Sequence, residues 1–181
     1  MKKLLLLVFT IYTFCCSFVQ AEALVNNVFV VPVEKRFENF TLVKVNPKYT
    51  VLDYKALMSA REFIQNSLGT TWPADDFTLD ENTQTLENDL IAFDNKESFT
   101  FHVMNNNKTK VIGCIYISGA ASDKFDATVF SWVAKEHIAT PLFTELKTSV
   151  KAWIKNEWPF VHVDYSFNKL NPHSMLYKTC Y

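Results

Sequence analysis

Glycine is scarce, with three in 181 residues. So few leave no room for a glycine-rich loop, in which a phosphate group approaches main-chain N–H groups closely. Metal-binding spacing is also missing. The four cysteines form no CxxC pair and the four histidines no HxH or HxxxH, so no metal site is expected. An excess of charge of either sign is absent too. The formal net charge is −1, which excludes neither fold nor activity but makes nucleic acid an unexpected partner. There is no internal repeat and no low-complexity linker. What is abundant is apolar and aromatic: 49% of the residues are hydrophobic and sixteen are Phe. That composition describes one globular domain with a sizeable core rather than a disordered chain.

The N-terminus carries the clearest local signal. Lys2 and Lys3 precede an apolar run from Leu4 to Val19, and Val19-Gln20-Ala21 offers small residues for cleavage. This is the layout of a bacterial secretory signal peptide, so export to the periplasm or beyond is expected. The run is short of the roughly 20 apolar residues that span a bilayer, and bulky Phe14 before Cys15 disfavours a lipoprotein signal. The expected division is residues 1–21 as signal peptide, 22–38 as lead-in and 39–181 as one domain. Membrane contact is then expected only through an uncleaved leader. Removing Lys2 and Lys3 leaves sixteen bases against nineteen acids, a charge of about −3. Cys114 and Cys180 survive cleavage. An oxidising compartment permits a bond between them, whereas the apolar strand around Cys114 favours a plain buried thiol.

Periodicity supplies the elements. Asn26 to Glu38, with Pro32, reads as linker or sheet edge, and Phe40 to Val45 alternates as a first strand. Leu57, Ala60, Phe63, Ile64 and Leu68 fall at helical spacing within one helix, Val51 to Leu68, ending before Gly69. Thr78-x-x-Glu81 is a capping box that opens a second helix to about Phe93. Leu79, Leu86, Leu90 and Phe93 form its apolar face, and Glu81, Glu87 and Asp89 are assigned to its solvated side. Phe99 to Met104 and Lys110 to Ser118 form a hairpin around Asn105–Lys108.

The stretch from Ala127 to Phe160 organises the remainder. ATVFSWVA is a strand rich in β-branched and aromatic residues. Thr140 is placed as N-cap with Pro141 at the first helical position, and the helix ends at Trp158-Pro159. Phe160 to Val163 is a last strand. Trp72, Trp132, Trp153 and Trp158 read as core more readily than as a ligand cleft. His102, among Phe99, Phe101 and Val103, reads as a hydrogen-bonded or surface strand residue more readily than as a base.

This order resembles the GNAT superfamily of N-acetyltransferases, and within it a group of small bacterial proteins. The resemblance is carried by Asp53-Tyr54-Lys55-Ala56-Leu57-Met58-Ser59, Trp72-Pro73-Ala74-Asp75-Asp76-Phe77-Thr78 with Glu81-Asn82, Gly113 to Ile117, Ser131-Trp132-Val133 and Trp158-Pro159-Phe160. It implies an α+β fold, a mixed and mostly antiparallel sheet flanked by helices and truncated after the fifth strand. It further implies acetyl-CoA as cofactor, with pantetheine between the parted fourth and fifth strands and the pyrophosphate on a Gln/Arg-x-x-Gly-x-Gly/Ala loop.

The matching window, Ile138 to Phe143, has neither the arginine nor the glycines. Pro141 removes a donor, and Phe143 is expected to add bulk where the phosphates would lie. The cofactor-binding residues implied by the resemblance are Trp132, Val133, Lys135, His137, Ala139, Thr140 and Leu142. Thr128 occupies the place of the usual acid, so Asp126 is the nearest candidate base, weighed against a solvated loop-end role. Tyr165, Tyr177 and Tyr181 are available as the acid for the leaving thiolate, none assignable. Two functions follow. One is acetyl transfer to an amine, from a protein whose leader is functional or unused. The other is an exported, non-catalytic GNAT-fold binding module that has lost acetyl-CoA use.

Overall fold

The computed structural model describes residues 22–165. The leader, Cys180, Tyr177 and Tyr181 therefore lie outside the described residues. The elements are β1 (Glu34–Arg36), β2 (Thr41–Lys44), a 3₁₀ turn (Pro47–Tyr49), α1 (Thr50–Ser59), α2 (Arg61–Leu68) and α3 (Leu79–Asp94). These are followed by β3 (Phe99–Met104), β4 (Val111–Ser118), β5 (Ala127–Val133), a 3₁₀ turn (Lys135–His137), α4 (Pro141–Glu157) and β6 (Val163–Asp164). The strands form one sheet in chain order, antiparallel except for the β5–β6 pair. A parallel pair needs a crossover, and α4 supplies it.

Alternation along the strands sorts their side chains onto two faces. Phe99, Phe101, Ile115, Ile117 and Val129 join one core cluster with Leu146, Val150, Trp153 and Ile154 of α4. Cys114, Phe130 and Trp132 join another with Ala56 and Leu57 of α1 and Ile64 of α2. All four tryptophans described are buried. Trp153 and Trp158 meet edge to face at 5.3 Å, and Trp158 meets Phe99 at 5.1 Å, the geometry aromatic quadrupoles prefer.

Two expectations change, and the choice between linker and sheet edge for the lead-in is decided. The single helix from Val51 to Leu68 is two helices, broken at Ala60 (φ −98°, ψ 3°). Its apolar stripe continues through the break, which is why periodicity alone could not detect it. The lead-in contributes an edge strand, β1, paired with β2. It is held there by the Lys96 ammonium, which donates to the carbonyls of Asn26 (3.3 Å), Asn27 (3.2 Å) and Phe29 (2.9 Å). The other change is Asp89, which is 5% exposed and faces inward. On α3 the inner face runs through Asn82, Leu86, Asp89 and Phe93, a helical stripe with two polar members.

Gly113 permits a close approach between β4 and β5. Pairing of β3 with β4 slips between Val103 and Met104, so that Val103 faces Gly113 and Met104 faces Val111. A Cβ on Gly113 would lie 2.2 Å from the carbonyl oxygen of Trp132 and 2.9 Å from the Val133 Cα. Both contacts are main chain and cannot turn aside. Gly113→Ala is expected to cost about 2–3 kcal/mol by forcing β4 from β5. Urea unfolding measures this, and an unchanged midpoint would refute the contact.

Candidate functional site

The residues around the β5–α4 connection divide by what their side chains do. Trp132 is fully buried against the α1 side, and its Nε1–H donates to the Tyr116 hydroxyl at 3.2 Å. Val133 is buried in the opposite cluster. Only the main chain of these two faces the strand edge. Lys135 and Ala139 are exposed, while His137, Thr140 and Leu142 are half-buried. The turn is fastened to the end of α1, because the Lys135 N–H donates to the Ser59 hydroxyl at 3.1 Å.

Two expectations about this turn are corrected. Thr140 stands at the N-cap position but makes no side-chain cap. Its hydroxyl donates to the His137 carbonyl at 2.8 Å, closing the preceding turn instead. Phe143 does not block the turn. It is buried, meets Phe63 edge to face at 5.6 Å, and carries the Lys147 ammonium over its ring at 3.7 Å. The first turn of α4 therefore has neither a side-chain cap nor the expected aromatic obstruction, and it keeps the positive end of the helix dipole.

Asp126 sits where β5 and β6 begin to pair. Its Oδ2 accepts from the N–H groups of Val161 (2.7 Å) and His162 (2.8 Å). Those bonds, His162 first, hold its carboxyl below the usual range. A carboxylate bonded to two amides is a weak base, and the geometry gives Asp126 the work of stapling two strand ends. β6 pairs with β5 only at Ala127 and Thr128. From Val129 onward, β5 has no partner on that side among the described residues, and a cavity opens between β5, α4 and Tyr165.

Sequence reasoning missed a second cluster of polar groups, buried between the helices and the sheet. Asp53 of α1, His102 of β3 and Cys114 of β4 are each 2% exposed or less. Asp53 Oδ1 lies 3.2 Å from His102 Nδ1 and accepts from the Cys114 thiol at 3.2 Å, while Oδ2 accepts from Asn82 Nδ2 at 3.1 Å. The signal available was a set of polar residues at inward positions of amphipathic elements, but their common destination is a tertiary fact.

Cys, His and Asp within 4.8 Å of one another are also a possible metal-ligand set. The tautomer argues otherwise. His102 Nε2 faces the Asn46 N–H at 3.3 Å, so it holds the lone pair and the ring proton sits on Nδ1, donated to Asp53. A metal at Nδ1 would require the reverse. Burial, reinforced by Asp53, pushes the Cys114 thiol up, and Cys114 is a free, buried cysteine. Without an electropositive surrounding it is inert rather than nucleophilic. Cobalt(II) added to the reduced protein should give no thiolate-to-cobalt absorption; a saturable band lost in Cys114→Ser would overturn this assignment.

Asp89 lies beside this cluster. Burial pushes its carboxyl up to about 7; the Thr100 hydrogen bond opposes this, the Asp53 charge adds to it, and His102 opposes it. The folded chain keeps a proton on Asp89 that the unfolded chain releases near pH 3.9. Stability from this group is complete below about pH 4 and falls as pH rises to about 7. Asp89→Asn, which mimics the protonated acid, should remove that slope. It should exceed the parent at pH 8 by as much as roughly 4 kcal/mol. Urea melts at pH 5 and pH 8 test the sign.

No family model matches the chain, and no curated protein is detectably similar to it in sequence. Solved structures are similar. The ribosomal-protein-S5-alanine acetyltransferase from Vibrio fischeri superposes with TM-score 0.55 at 18% identity, covering 68% of each chain. RimL, a ribosomal L7/L12 α-N-protein acetyltransferase solved with coenzyme A, gives TM-score 0.53 at 12% identity, over 69% of this chain and 67% of its own. The microcin C7 self-immunity acetyltransferase MccE, solved with acetyl-CoA and AMP, gives 0.50 at 16% identity, over 70% and 69%. The chain thus has the GNAT fold: α+β, with a six-stranded, mostly antiparallel sheet and four helices among the described residues.

Proposed function

We propose that this protein is an acyltransferase of the GNAT type, using acetyl-CoA to acylate an amine. The observation that carries the reading is the short pairing of β5 with β6, which among the described residues covers Ala127–Thr128 and Val163–Asp164. An unpaired strand edge offers alternating N–H and C=O groups, which an extended ligand with amides of its own can join as a further strand. The pantetheine arm of coenzyme A is such a ligand. The first turn of α4, at the end of that edge, favours negative charge. Two of the similar structures were solved with coenzyme A or acetyl-CoA, which supports the same cofactor here.

A second reading has its own support. The turn lacks arginine and glycine, Pro141 offers no N–H, and Asp126 is committed to two amides. With the leader, through which we propose export, these features favour an exported binding module that no longer turns over acetyl-CoA.

Thermal unfolding of the protein at millimolar acetyl-CoA, followed by thiol release with amine acceptors, separates the two. A ligand at 100 times its Kd adds about 2.7 kcal/mol, roughly 5–11 °C for a domain of this size. Stabilisation with thiol release is expected. Neither effect would end the acyltransferase reading and leave the binding module.

A further inference from the structure

β1 is an outer strand of the sheet, with a partner only on its β2 side among the described residues. The Lys44 N–H donates to the Val33 carbonyl at 2.8 Å, and the Phe37 N–H donates to the Phe40 carbonyl at 2.9 Å. Val33 and Phe37 therefore direct these main-chain groups inward, toward β2. Alternation along the strand then directs the N–H and C=O groups of Glu34 and Arg36 outward, to the free edge. Both of their side chains are exposed. Val33 beside them is 61% exposed, and Phe37 is half-buried. An edge of this kind is a template for a further strand.

The residues from Val33 to Phe37 are complementary to themselves when run antiparallel. A two-fold axis through Lys35 sets Glu34 opposite Arg36 of the partner subunit, and the reverse. Each such pair can exchange two main-chain hydrogen bonds, because both residues face the edge. Opposite charges then meet across the strands. On the other face Val33 meets Phe37 of the partner subunit, a β-branched residue against an aromatic one. Neighbouring registers fail. An axis at Glu34 or at Arg36 sets like charges directly opposite. An axis at Val33 brings Glu34 against Pro32 of the partner subunit, which has no N–H to give. An axis at Phe37 runs into the bend at Glu38 and Asn39 that leads to β2. The one like-charged pair in the matched register is Lys35 with itself, and each Lys35 ammonium is already neutralised by Glu157. Glu34 pairs with Lys108, whereas Arg36 has no ion-pair partner among the described residues.

We propose that the protein forms a two-fold dimer through this edge, with a second copy of the chain seated along β1 and the two sheets joined into one. The second copy supplies the carboxylate that Arg36 lacks. β6 lies at the opposite edge of the sheet, so the pairing leaves the β5–β6 side of each copy as it is. The dimer therefore does not rest on the acyltransferase reading. A strand of three residues makes a small contact of the weak, transient class, so the test spans concentrations from about 1 μM to about 1 mM.

Analytical ultracentrifugation of the purified protein over that range should show monomer and dimer in reversible exchange, with added salt favouring the monomer. Arg36→Glu and Glu34→Arg each set like charges opposite in both cross-strand pairs, and each should weaken the dimer at least about tenfold. Mixed together, the two variants are complementary again and should form a heterodimer about as tight as the parent dimer. A role in folding alone does not predict that rescue. Amide hydrogen exchange supplies a local readout. The N–H groups of Glu34 and Arg36 should exchange more slowly as concentration rises, whereas that of Lys35, already paired with Leu42, should not change. A protein that stays monomeric at about 1 mM, its edge open or covered by its own leader, overturns the proposal. So does a dimer that both charge variants leave unchanged, or one in which Glu34 and Arg36 gain no protection, because the second copy then sits elsewhere.

Discussion

The carboxylate of Asp53 is the node on which the arrangement of helices over sheet depends. It receives donors from three other elements at once: His102 from β3, Cys114 from β4 and Asn82 from α3. A buried carboxylate is tolerable only when its oxygens are hydrogen-bonded, so the fold that satisfies Asp53 also fixes α1 against β3, β4 and α3. His102 extends the chain to the Asn46 N–H, at the turn that launches α1. Apolar packing alone would let α1 slide or roll at small cost. Directional bonds to one carboxylate restrict it to one register.

That register reaches the functional end of the molecule through Ser59. At the last turn of α1, its hydroxyl accepts from the Lys135 N–H and so secures the turn between β5 and α4. On the other side Asp126 staples the beginnings of β5 and β6. Between these two fastenings β5 runs without a partner on its β6 side among the described residues. The gap is thus held at both ends by hydrogen bonds rather than left open by weak packing. Its side chains are mostly engaged in the core, as Trp132, Val133 and Phe143 show. What the gap presents among the described residues is main chain at the strand edge and, toward α4, Ser131 with Lys147 and Lys151.

Much of the fold was legible because its signals are local. The Thr78–Glu81 capping box is formed as written, with Thr78 Oγ1 accepting from the Glu81 N–H at 3.2 Å and Glu81 accepting from the Thr78 N–H at 2.7 Å. The strands Phe99–Met104 and Ala127–Val133 follow their alternation, and Pro141 opens α4. Less of the site was legible. Thr140 has the residue type of an N-cap, but an equally near carbonyl took its hydroxyl. Phe143 occupied the phosphate window in sequence, yet its side chain turned into the core.

Sequence alone determined the element order, the capping and turn chemistry, and which strand residues share a face. Each of these follows from backbone preferences within a few positions. Tertiary structure alone decided that Asp53, Asn82, Asp89, His102 and Cys114 meet, and that β6 lies parallel to the start of β5. Aspartate at positions 53 and 89 is locally indistinguishable from aspartate on a solvated helix face. Its burial depends on partners as far as 61 positions away, as Cys114 is from Asp53, and no periodicity carries information over that distance.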